Sequence, residues 1–491
     1  MAPGGEIIRI DAFSSAGEFA AAIRARRISA LELVELSLAR IAKHNPALNA
    51  VCTLDEAGAR ARAREADRAL ARGEPWGPLH GVPMTIKDAL ETAGLRTTGG
   101  HPPLKDYVPR RDAPAVARLR AAGAILLGKT NVPPLSADYR ADNPIFGRTN
   151  NPWDLERTPG GSTGGGAAAV AAGLSAFDVG SDLAGSVRTP AHFCGLFALK
   201  PTERRVPNTG HIPELPGMPR AVRHMNTLGP LARSVEDLSL ITKVISGPDD
   251  AEWDVPPVPW VEAPDIALPR MRFSWSCDFA GVPVTKDTKQ AIEKLAGELA
   301  RLGCKVEERN PEHFDFEQAW ETWGEIAIAE RAATGPERAA ERAAALHAKL
   351  GDGVAVARGS VKGARATVSD YMTALTRRDS LISILEKFFD HWDALLCPVT
   401  VSPAIPHVPF GTPIDVDGAK VPYFLAGTSY TCPFNLTGSP AAVLPLTKSA
   451  AGLPIGVQVV GKRWSEPALL SVCEKLVLIT GNFVPPPQFR A

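Results

Sequence analysis

The first seventy residues of the chain carry apolar side chains three and four positions apart, which is the spacing of an amphipathic helix. The pattern predicts three helices, over residues 14–27, 29–44 and 55–72. The apolar stripe of the second is formed by Leu31, Leu33, Val34, Leu36, Leu38 and Ile41. We expect these helices to form an N-terminal cap on the rest of the fold or an arm that contacts a second copy of the chain.

After residue 75 the pattern changes to short apolar runs separated by helical segments. Two helices are expected, at 113–122 and 164–173. The apolar runs predict buried strands at 82–86, 124–128, 175–179 and 195–199. Because strands that alternate with helices build layered sheets, the chain is expected to have an α/β fold.

A proline-rich connector at 248–270 leads into the second half of the chain. We expect a strand at 271–276, a helix at 285–302 and a strand at 305–308. Helical patterns then follow at 314–348 and 364–390.

The first of these helical patterns begins with four aromatic side chains, Phe314, Phe316, Trp320 and Trp323. Aromatic residues at helical spacing favour a core-facing stripe, and the functional alternative is an apolar lid over a substrate. Two stretches, 203–219 and 398–413, are predicted to be irregular loops. Long loops of this kind often shape a functional site.

The composition indicates a large soluble enzyme. The chain has 491 residues, of which 45% are hydrophobic, so it can bury a sizeable core. Lys+Arg and Asp+Glu both number 54, so no net charge attracts nucleic acid or an anionic membrane. The first six residues lack the pattern of a secretory signal, and no apolar run is long enough to span a bilayer. The cytoplasm is the expected compartment.

The seven cysteines do not form a recognisable framework. They are odd in number and lack the CxxC or Cys/His spacing of a metal site. We therefore expect no disulfide framework, no metal and no cofactor. Cys194 is interpreted as a packed core thiol rather than as a catalyst.

Two serines and a lysine form the candidate active site. Ser162 lies in GGSTGGG and Ser186 in GSDLAGS, while Lys87 ends the apolar run GVPMTIK. A serine is a weak nucleophile without an adjacent base, and a lysine can be that base only if burial depresses its pKa. Glycines around Ser186 leave its backbone free to direct N–H groups at a developing oxyanion. A single glycine- and serine-rich stretch is usually a turn, and a single lysine after a strand is usually solvated. Here the lysine and the two serine segments occur together and in order, which favours an active site.

Together these segments resemble the amidase signature family. The resemblance spans nearly the whole chain and is weakest between about 250 and 390. Further similar segments are GKTN at 128–131, DNP at 142–144, NPWD at 151–154, RTP at 157–159, TPAHFCGLFALKPT at 189–202, GPLARSVED at 229–237, FNLTGSP at 434–440 and GLPIGVQ at 452–458.

The resemblance implies a layered α/β/α fold with a central mixed, twisted sheet flanked by helices. It also implies one domain over residues 1–491. Within this domain we expect an N-terminal helical region, a signature core, the proline-rich connector and a second half with variable pocket-forming helices, at 1–75, 76–247, 248–270 and 271–491.

The same resemblance implies roles for individual residues. Ser186 would be the nucleophile, Ser162 a bridging serine after a cis peptide bond, and Lys87 the base that draws a proton through Ser162. The oxyanion-hole N–H groups would come from Leu183, Ala184, Gly185 and Ser186. Structural support would come from the ion pair of Asp182 with Arg188 and from Thr163.

The chain departs from the family pattern at two positions. Thr163 stands where a second serine is common, and Ala184 stands where glycine is usual. An alanine still presents its N–H, although it would be strained at a backbone angle that only glycine tolerates. Leu183 adds an apolar wall beside the reacting carbonyl. We expect these differences to affect substrate preference more than the chemistry.

The implied activity is cofactor-free hydrolysis of the carbon–nitrogen bond of small carboxylic amides through an acyl-enzyme on Ser186. Leu183 and the aromatic middle of the chain favour apolar or aryl amides. Ester and carbamate hydrolysis remain open because both substrates present a similar carbonyl. A glutamine-hydrolysing subunit of an amidotransferase complex also remains an alternative, and a homodimer is compatible with the sequence.

A different hydrolase mechanism would use Ser162 as the nucleophile, because GGSTG matches the G-x-S-x-G elbow of α/β-hydrolases. That elbow requires a hydrophobic strand running into the serine, whereas DLERTP precedes this one. A phosphate-binding loop is also disfavoured, since no Lys-Ser/Thr pair follows the glycines.

Overall fold

The computed structural model describes residues 10–215, 220–351 and 353–490. The sequence prediction about the first six residues and the end of the 203–219 loop lie outside this range. The helices are α1 Ala16–Arg24, α2 Ala30–Leu48, α3 Glu56–Ala71, α4 Pro114–Ala121, α5 Gly164–Ala171, α6 Arg188–Cys194, α7 Val235–Ile245, α8 Lys286–Arg301, α9 Phe316–Ala332, α10 Pro336–Leu350, α11 Ala355–Ala364, α12 Val368–Phe388, α13 Tyr423–Thr428, α14 Cys432–Leu436 and α15 Glu466–Thr480.

The strands alternate with these helices through both halves of the chain. They are β1 Val51–Leu54, β2 Pro83–Lys87, β3 Ile125–Thr130, β4 Asp142–Asn143, β5 Gly147–Arg148, β6 Asp178–Asp182, β7 Phe197–Lys200, β8 Thr227–Ala232, β9 Arg272–Trp275, β10 Lys305–Glu308, β11 Ala394–Pro398, β12 Ile414–Val416, β13 Ala419–Val421, β14 Ala441–Lys448 and β15 Pro454–Val460.

Eleven strands form one mixed sheet in the order β1-β3-β2-β6-β8-β7-β14-β15-β11-β9-β10. The triplet β3-β2-β6 is parallel, as is β11-β9-β10. The pairs between these two triplets are antiparallel. The antiparallel pairing of β7 with β14 joins strands from the first and second halves of the chain. Both halves therefore contribute to the same sheet.

Helices cover both faces of this sheet. Successive side chains of a strand point to opposite faces. Accordingly, Leu199 and Leu444 pack in a large core with α2, α4, α7, α8 and α15, whereas Ala198 and Val443 pack in a smaller core with α5 and α6. The fold is thus the layered α/β/α arrangement that the sequence implied.

The N-terminal helices pack on their own sheet. Ser29 caps α2 in a reciprocal capping box with Glu32, which fixes where the helix begins. The inward face of α2 is buried in the large core through Leu33, Val34, Leu38 and Ile41. The helices form a cap within the fold, as one of the two expectations stated, and contact with a second copy stays a prediction.

Several predicted elements have different boundaries. The strand expected at 175–179 lies at β6, Asp178–Asp182. The continuous helix expected over 314–348 is broken into α9 and α10 at Gly335-Pro336. Proline lacks an N–H and disfavours a helical conformation in the residue before it, so α9 ends and proline opens α10. The 364–390 pattern corresponds to α12, and α11 before it was not predicted.

The aromatic stripe of α9 belongs to an aromatic core. Phe314, Phe316, Trp320 and Trp323 are all buried there. The core-facing prediction is therefore correct for the stripe, and Trp323 in addition lines a cavity, as the lid alternative required. No described helix has the length and apolarity needed to cross a bilayer. The described residues also contain no group of His, Cys, Asp and Glu side chains that could hold a metal ion.

Helices α9 and α11 pack at very short range because of glycine. A Cβ atom on Gly359 would lie 1.9 Å from the carbonyl oxygen of Glu321, and one on Gly363 would lie 2.2 Å from that of Glu325. Any side chain at these positions must push the two helices apart.

We predict that Gly359→Ala destabilises the protein by about 1–3 kcal/mol, the usual cost of overpacking a well-packed interface. Gly297→Ala on α8 is the matched control, because a Cβ there meets no atom within 4 Å. The free energy of unfolding of the control should rise by about 0.5–1 kcal/mol, because alanine has a better helix propensity than glycine. Thermal or urea denaturation measures both. Equal stability of the two variants would contradict the close approach of α9 and α11.

Candidate active site

Lys87 is the last residue of β2 and is completely buried. Its strand is paired on both sides, with β3 and with β6, and the residue has no solvent-accessible surface. Burial lowers the pKa of Lys87 to about 7, against the opposing attraction of Asp182 and Asp178. A substantial fraction of this lysine is therefore neutral near pH 7.

Two serine hydroxyls surround the lysine. Lys87 Nζ lies 2.6 Å from Ser162 Oγ and 2.9 Å from Ser181 Oγ. Ser162 is fully buried, and the Gly161–Ser162 peptide bond before it is cis. The next residue, Thr163, donates its N–H to the carbonyl of Ser186 at 3.1 Å. This bond ties the Ser162 loop to the Ser186 loop.

Ser186 lies at the end of the loop that follows β6, and its side chain is partly exposed. Ser162 and Ser186 line the same cavity. The Ser186 hydroxyl makes no hydrogen bond to any described residue, so the Ser162–Ser186 relay is not closed in this structure. Catalytic hydrogen bonds are often long before substrate binds.

The carbonyl groups of the Ser186 loop are held away from the cavity. Trp323 Nε1 donates to the carbonyl oxygen of Leu183 at 3.0 Å, and Thr431 Oγ1 donates to that of Ala184 at 2.8 Å. Within the described chain, the N–H groups of Leu183, Ala184 and Ser186 have no hydrogen-bond acceptor. A substrate oxygen would therefore displace no protein acceptor from these three N–H groups.

Gly185 differs from the other three expected oxyanion-hole residues. Its N–H donates to Asp182 Oδ1 at 2.7 Å, so it supports the loop and is not available to a substrate. Gly185 is also the residue of this loop with a left-handed backbone, at φ 112°. Ala184 does not have a positive φ, and the strain expected from alanine at that position does not arise.

Asp182 and Arg188 form a buried ion pair beneath the Ser186 loop. Arg188 contacts both carboxylate oxygens, at 3.0 and 2.9 Å, and both side chains are inaccessible to solvent. Burial opposes ionisation of Asp182, but Arg188 and a hydrogen bond from Asn435 hold its pKa well below the usual range. The remaining guanidinium donors are satisfied by Asn435, Gln458 and the Thr431 carbonyl. The carboxylate can therefore accept N–H bonds from the loop.

Thr163 supports the site through its backbone and its volume. Its hydroxyl has no hydrogen-bond partner among the described residues. Its methyl group fills the space at Gly180, where an added Cβ would lie 2.3 Å away. The threonine thus packs between the two glycine-rich segments.

The cavity at Ser186 has two lobes. The lobe that we call polar, of about 570 Å³, contains Ser162, Ser181, His211 and Asn226 among apolar residues such as Val222. The aromatic lobe, of about 500 Å³, is lined by Tyr139, Trp323, Phe410, Tyr423 and Phe424. Leu183, Ser186 and Ile328 line both lobes. Ser186 therefore lies where the two lobes meet.

Sequence reasoning did not single out Ser181, His211 or Asn226 as site residues. Ser181 stands inside the GSDLAGS segment, where nothing in the sequence distinguishes it from its neighbours; in the structure it belongs to β6. His211 lies in the 203–219 loop, which was expected to be functional, yet no pattern marked this histidine. Asn226 comes just before β8 and has no local motif.

The elbow mechanism does not fit the structure. No described strand runs into Ser162, and its hydroxyl is buried against Lys87 rather than exposed at a turn. Cys194 is fully buried at the end of α6, and burial raises the pKa of its thiol well above the usual value. This agrees with a packed core thiol.

Comparison with known proteins identifies the family. The family model described as Amidase matches residues 32–470. The chain belongs to the amidase signature family. Its indicated chemistry is hydrolysis of amide carbon–nitrogen bonds, the activity of the enzymes it is similar to.

Indoleacetamide hydrolase of Bradyrhizobium diazoefficiens is 36% identical over 463 residues, covering 92% of this chain and 84% of that protein. A glutamyl-tRNA(Gln) amidotransferase subunit of Roseiflexus castenholzii is 35% identical over 483 residues, covering 94% and 95%. The solved structure of 6-aminohexanoate cyclic dimer hydrolase complexed with substrate matches with a TM-score of 0.80 and 28% identity, covering 98% of this chain and 100% of that one.

We predict that Arg188→Met destabilises the protein by about 3–5 kcal/mol at pH 7, because it leaves a buried carboxylate unpaired. Without Arg188, the pKa of Asp182 should rise above its value in the unfolded chain. The folded variant then binds a proton at Asp182 more tightly than the unfolded chain does. The loss in the free energy of unfolding should therefore grow as pH rises from 5 to 8. Denaturation of the variant and wild type across this range measures the difference.

The control is Arg301→Met, which removes a pair whose arginine side chain is 68% exposed. Its cost should stay below about 1 kcal/mol. A pH-independent loss for Arg188→Met, of the same size as the control, would show that the buried pair does not hold the loop.

Proposed function

We propose that the protein is a serine amide hydrolase that forms an acyl-enzyme on Ser186 and prefers aryl or apolar carboxylic amides. The observation that carries this proposal is the buried Lys87 amine, which lies 2.6 Å from Ser162 Oγ. Ser162 and Ser186 line the same cavity. Burial supplies the neutral amine that a base requires.

In the proposed mechanism, the neutral Lys87 amine accepts the proton of Ser162, and Ser162 accepts the proton of Ser186. Ser186 Oγ attacks the carbonyl carbon of the amide. The negative charge that develops on the carbonyl oxygen is stabilised by the N–H groups of Leu183, Ala184 and Ser186. The proton returns through Ser162 to the leaving amine as the carbon–nitrogen bond breaks. Water, deprotonated by the same relay, then attacks the acyl carbon; the ester bond to Ser186 Oγ breaks, the relay returns the proton to this oxygen, and the acid is released.

The preference for aryl or apolar amides rests on the aromatic lobe. Its rings adjoin Leu183 and Ser186, so a flat apolar group there would lie next to the reacting carbonyl. Trp323 and Phe424 have ring centroids 5.5 Å apart on one wall. A relative that is 36% identical acts on indoleacetamide, as its name states, which is an amide with an aromatic group.

Two alternatives use the same site. Esters and carbamates would be attacked by the same serine and stabilised by the same N–H groups. The similarity to amidotransferase subunits supports glutamine hydrolysis beside a partner as the second candidate. Turnover of indoleacetamide, an anilide, an aryl ester, a carbamate and glutamine by the purified chain separates these functions.

The two serines can be distinguished by covalent labelling. A fluorophosphonate probe should form its adduct on Ser186, as peptide mapping by mass spectrometry would show. Ser186→Ala should lose both labelling and turnover. Ser162→Ala should be labelled about 10²–10⁴-fold more slowly than the wild type, because the oxyanion site remains while the proton relay is lost. An adduct on Ser162, with Ser186→Ala still active, would refute the proposed mechanism.

Amide turnover should depend on the ionisation of Lys87. Since its pKa is lowered to about 7, kcat/KM should rise as pH increases through that value and level off above it. Lys87→Met should lower kcat/KM by about 10²–10⁴-fold at pH 8 and abolish this ionisation. A flat wild-type profile between pH 6 and 8.5, or near-normal activity of the variant, would remove the lysine from the mechanism.

The substrate preference can be tested at Phe424. Phe424→Ala enlarges the aromatic lobe without touching the lysine or the serines. We expect kcat/KM for an aryl acetamide to fall about 10- to 100-fold and that for acetamide to change much less. An equal change for both substrates would indicate that aryl groups do not bind in this lobe.

A further inference from the structure

His211 is held at a fixed position relative to Lys87. The backbone on either side of it bonds to the segment that follows β2. Gly210 accepts an N–H from Glu91 at 2.8 Å, and Ile212 donates its N–H to Ala89, also at 2.8 Å. The loop containing His211 is therefore attached to the chain only a few residues beyond the lysine.

The His211 side chain reaches Lys87 through one hydroxyl. His211 Nε2 lies 2.7 Å from Ser181 Oγ, which lies 2.9 Å from Lys87 Nζ. The imidazole is 7% exposed and lines the polar lobe of the cavity. The hydrogen-bonded chain thus runs from His211 through Ser181 and Lys87 to Ser162.

Neutral Lys87 has only one lone pair on its nitrogen, but it lies next to two hydroxyl groups, those of Ser162 and Ser181. If Ser181 donates its proton to Lys87, the lone pair is occupied and cannot accept the proton of Ser162. If Ser181 donates to His211 instead, its oxygen accepts an N–H from Lys87, and the lone pair is left for Ser162. The direction of the Ser181 hydroxyl therefore decides whether the lysine can act as a base.

The surroundings of His211 keep its ring neutral, and a neutral ring allows the productive direction. Burial, together with the nearby Lys87, lowers the pKa of His211 to about 3, so the ring is neutral at physiological pH. A neutral imidazole has one acceptor nitrogen and one donor nitrogen. With the proton on Nδ1, Nε2 accepts from Ser181. Nδ1 has no hydrogen-bond partner among the described residues, and it belongs to a ring that lines the cavity.

We propose that His211 is a positioning residue, which holds the Ser181 proton away from Lys87 so that the lysine lone pair faces Ser162. The inference rests on the proposed function, because it assigns a role in activating the same base. It is independent of which amide, ester or carbamate the enzyme prefers.

The state of the ring can be measured in the native protein. In protein labelled with ¹⁵N-histidine, the His211 signals are assigned by their absence from the spectrum of His211→Gln. At pH 7 we expect Nε2 to resonate as an unprotonated acceptor and Nδ1 as an N–H. A proton on Nε2 would overturn the proposal, because that nitrogen would then donate to Ser181.

The effect on the base can be measured as the rate of fluorophosphonate labelling of Ser186 at pH 8.5. His211→Phe and His211→Leu both remove the acceptor and should slow labelling by about tenfold, which corresponds to one competing hydrogen bond. His211→Gln retains an acceptor and should recover most of the rate. For amide turnover, the two apolar variants should lower kcat with little change in KM.

A double-mutant cycle with Ser181→Ala separates this role from a structural one. Without the Ser181 hydroxyl there is no competitor for the lone pair, so His211→Phe should cause no further slowing. Equal slowing with and without Ser181, or a change in KM alone, would overturn the inference. A His211→Phe variant that is labelled at the wild-type rate would also overturn it. If wild type itself is not labelled on Ser186, the proposed function fails, whereas labelling on Ser186 with no effect of His211 refutes only this inference.

Discussion

The removal of Lys87 from water is the interaction on which the rest of the site depends. A lysine in solution is protonated at neutral pH and cannot accept a proton from serine. Here Lys87 is the fully buried last residue of β2, which pairs with β3 and β6, and the free-energy cost of burying its charge lowers the pKa of the ammonium group to about 7. In the proposed mechanism this buried strand end supplies the base, and any change that admits water to it should return the pKa of Lys87 toward that of a solvated lysine.

Asp182 shows the opposite effect of burial on a charged group. This carboxylate is as deeply buried as the lysine, but it remains ionised because Arg188 is bonded to both of its oxygens. As an anion it can accept the N–H of Gly185 and hold the Ser186 loop in shape. Burial therefore brings the pKa of Lys87 to about 7, whereas its buried neighbour Asp182 stays charged. The partner of each group, rather than the depth of burial, makes the difference.

The sequence predicted the elements that local pattern determines. Continuous apolar runs predicted the strands before and after Lys87, and the amphipathic stripe predicted α2. The break between α9 and α10 could also have been predicted, because Gly335-Pro336 is a local stop signal. The aromatic periodicity instead predicted one helical pattern over 314–348. Lys87, Ser162 and Ser186 became candidates because the glycine clusters and the apolar strand occur in an order that resembles the amidase signature family.

The remaining features depend on long-range packing. Gly185 was expected to offer its N–H to substrate, but the position of the Asp182 side chain directs that group into the loop. Ser181 and His211 lie thirty positions apart and meet only after the sheet has formed and the 203–215 loop has folded against residues 89–91. The aromatic lobe likewise combines side chains from distant segments, such as Trp323 and Tyr423, so no local pattern could identify it.

The most direct test of this account is the pKa of Lys87 itself. It can be measured by following the lysine ¹³Cε signal through a pH titration of isotopically labelled protein, with the signal assigned by its absence in Lys87→Met. The account predicts a pKa of about 7. A value near 10.4, as for a solvated lysine, would contradict it, because the amine would then be protonated and unable to activate Ser186 through Ser162.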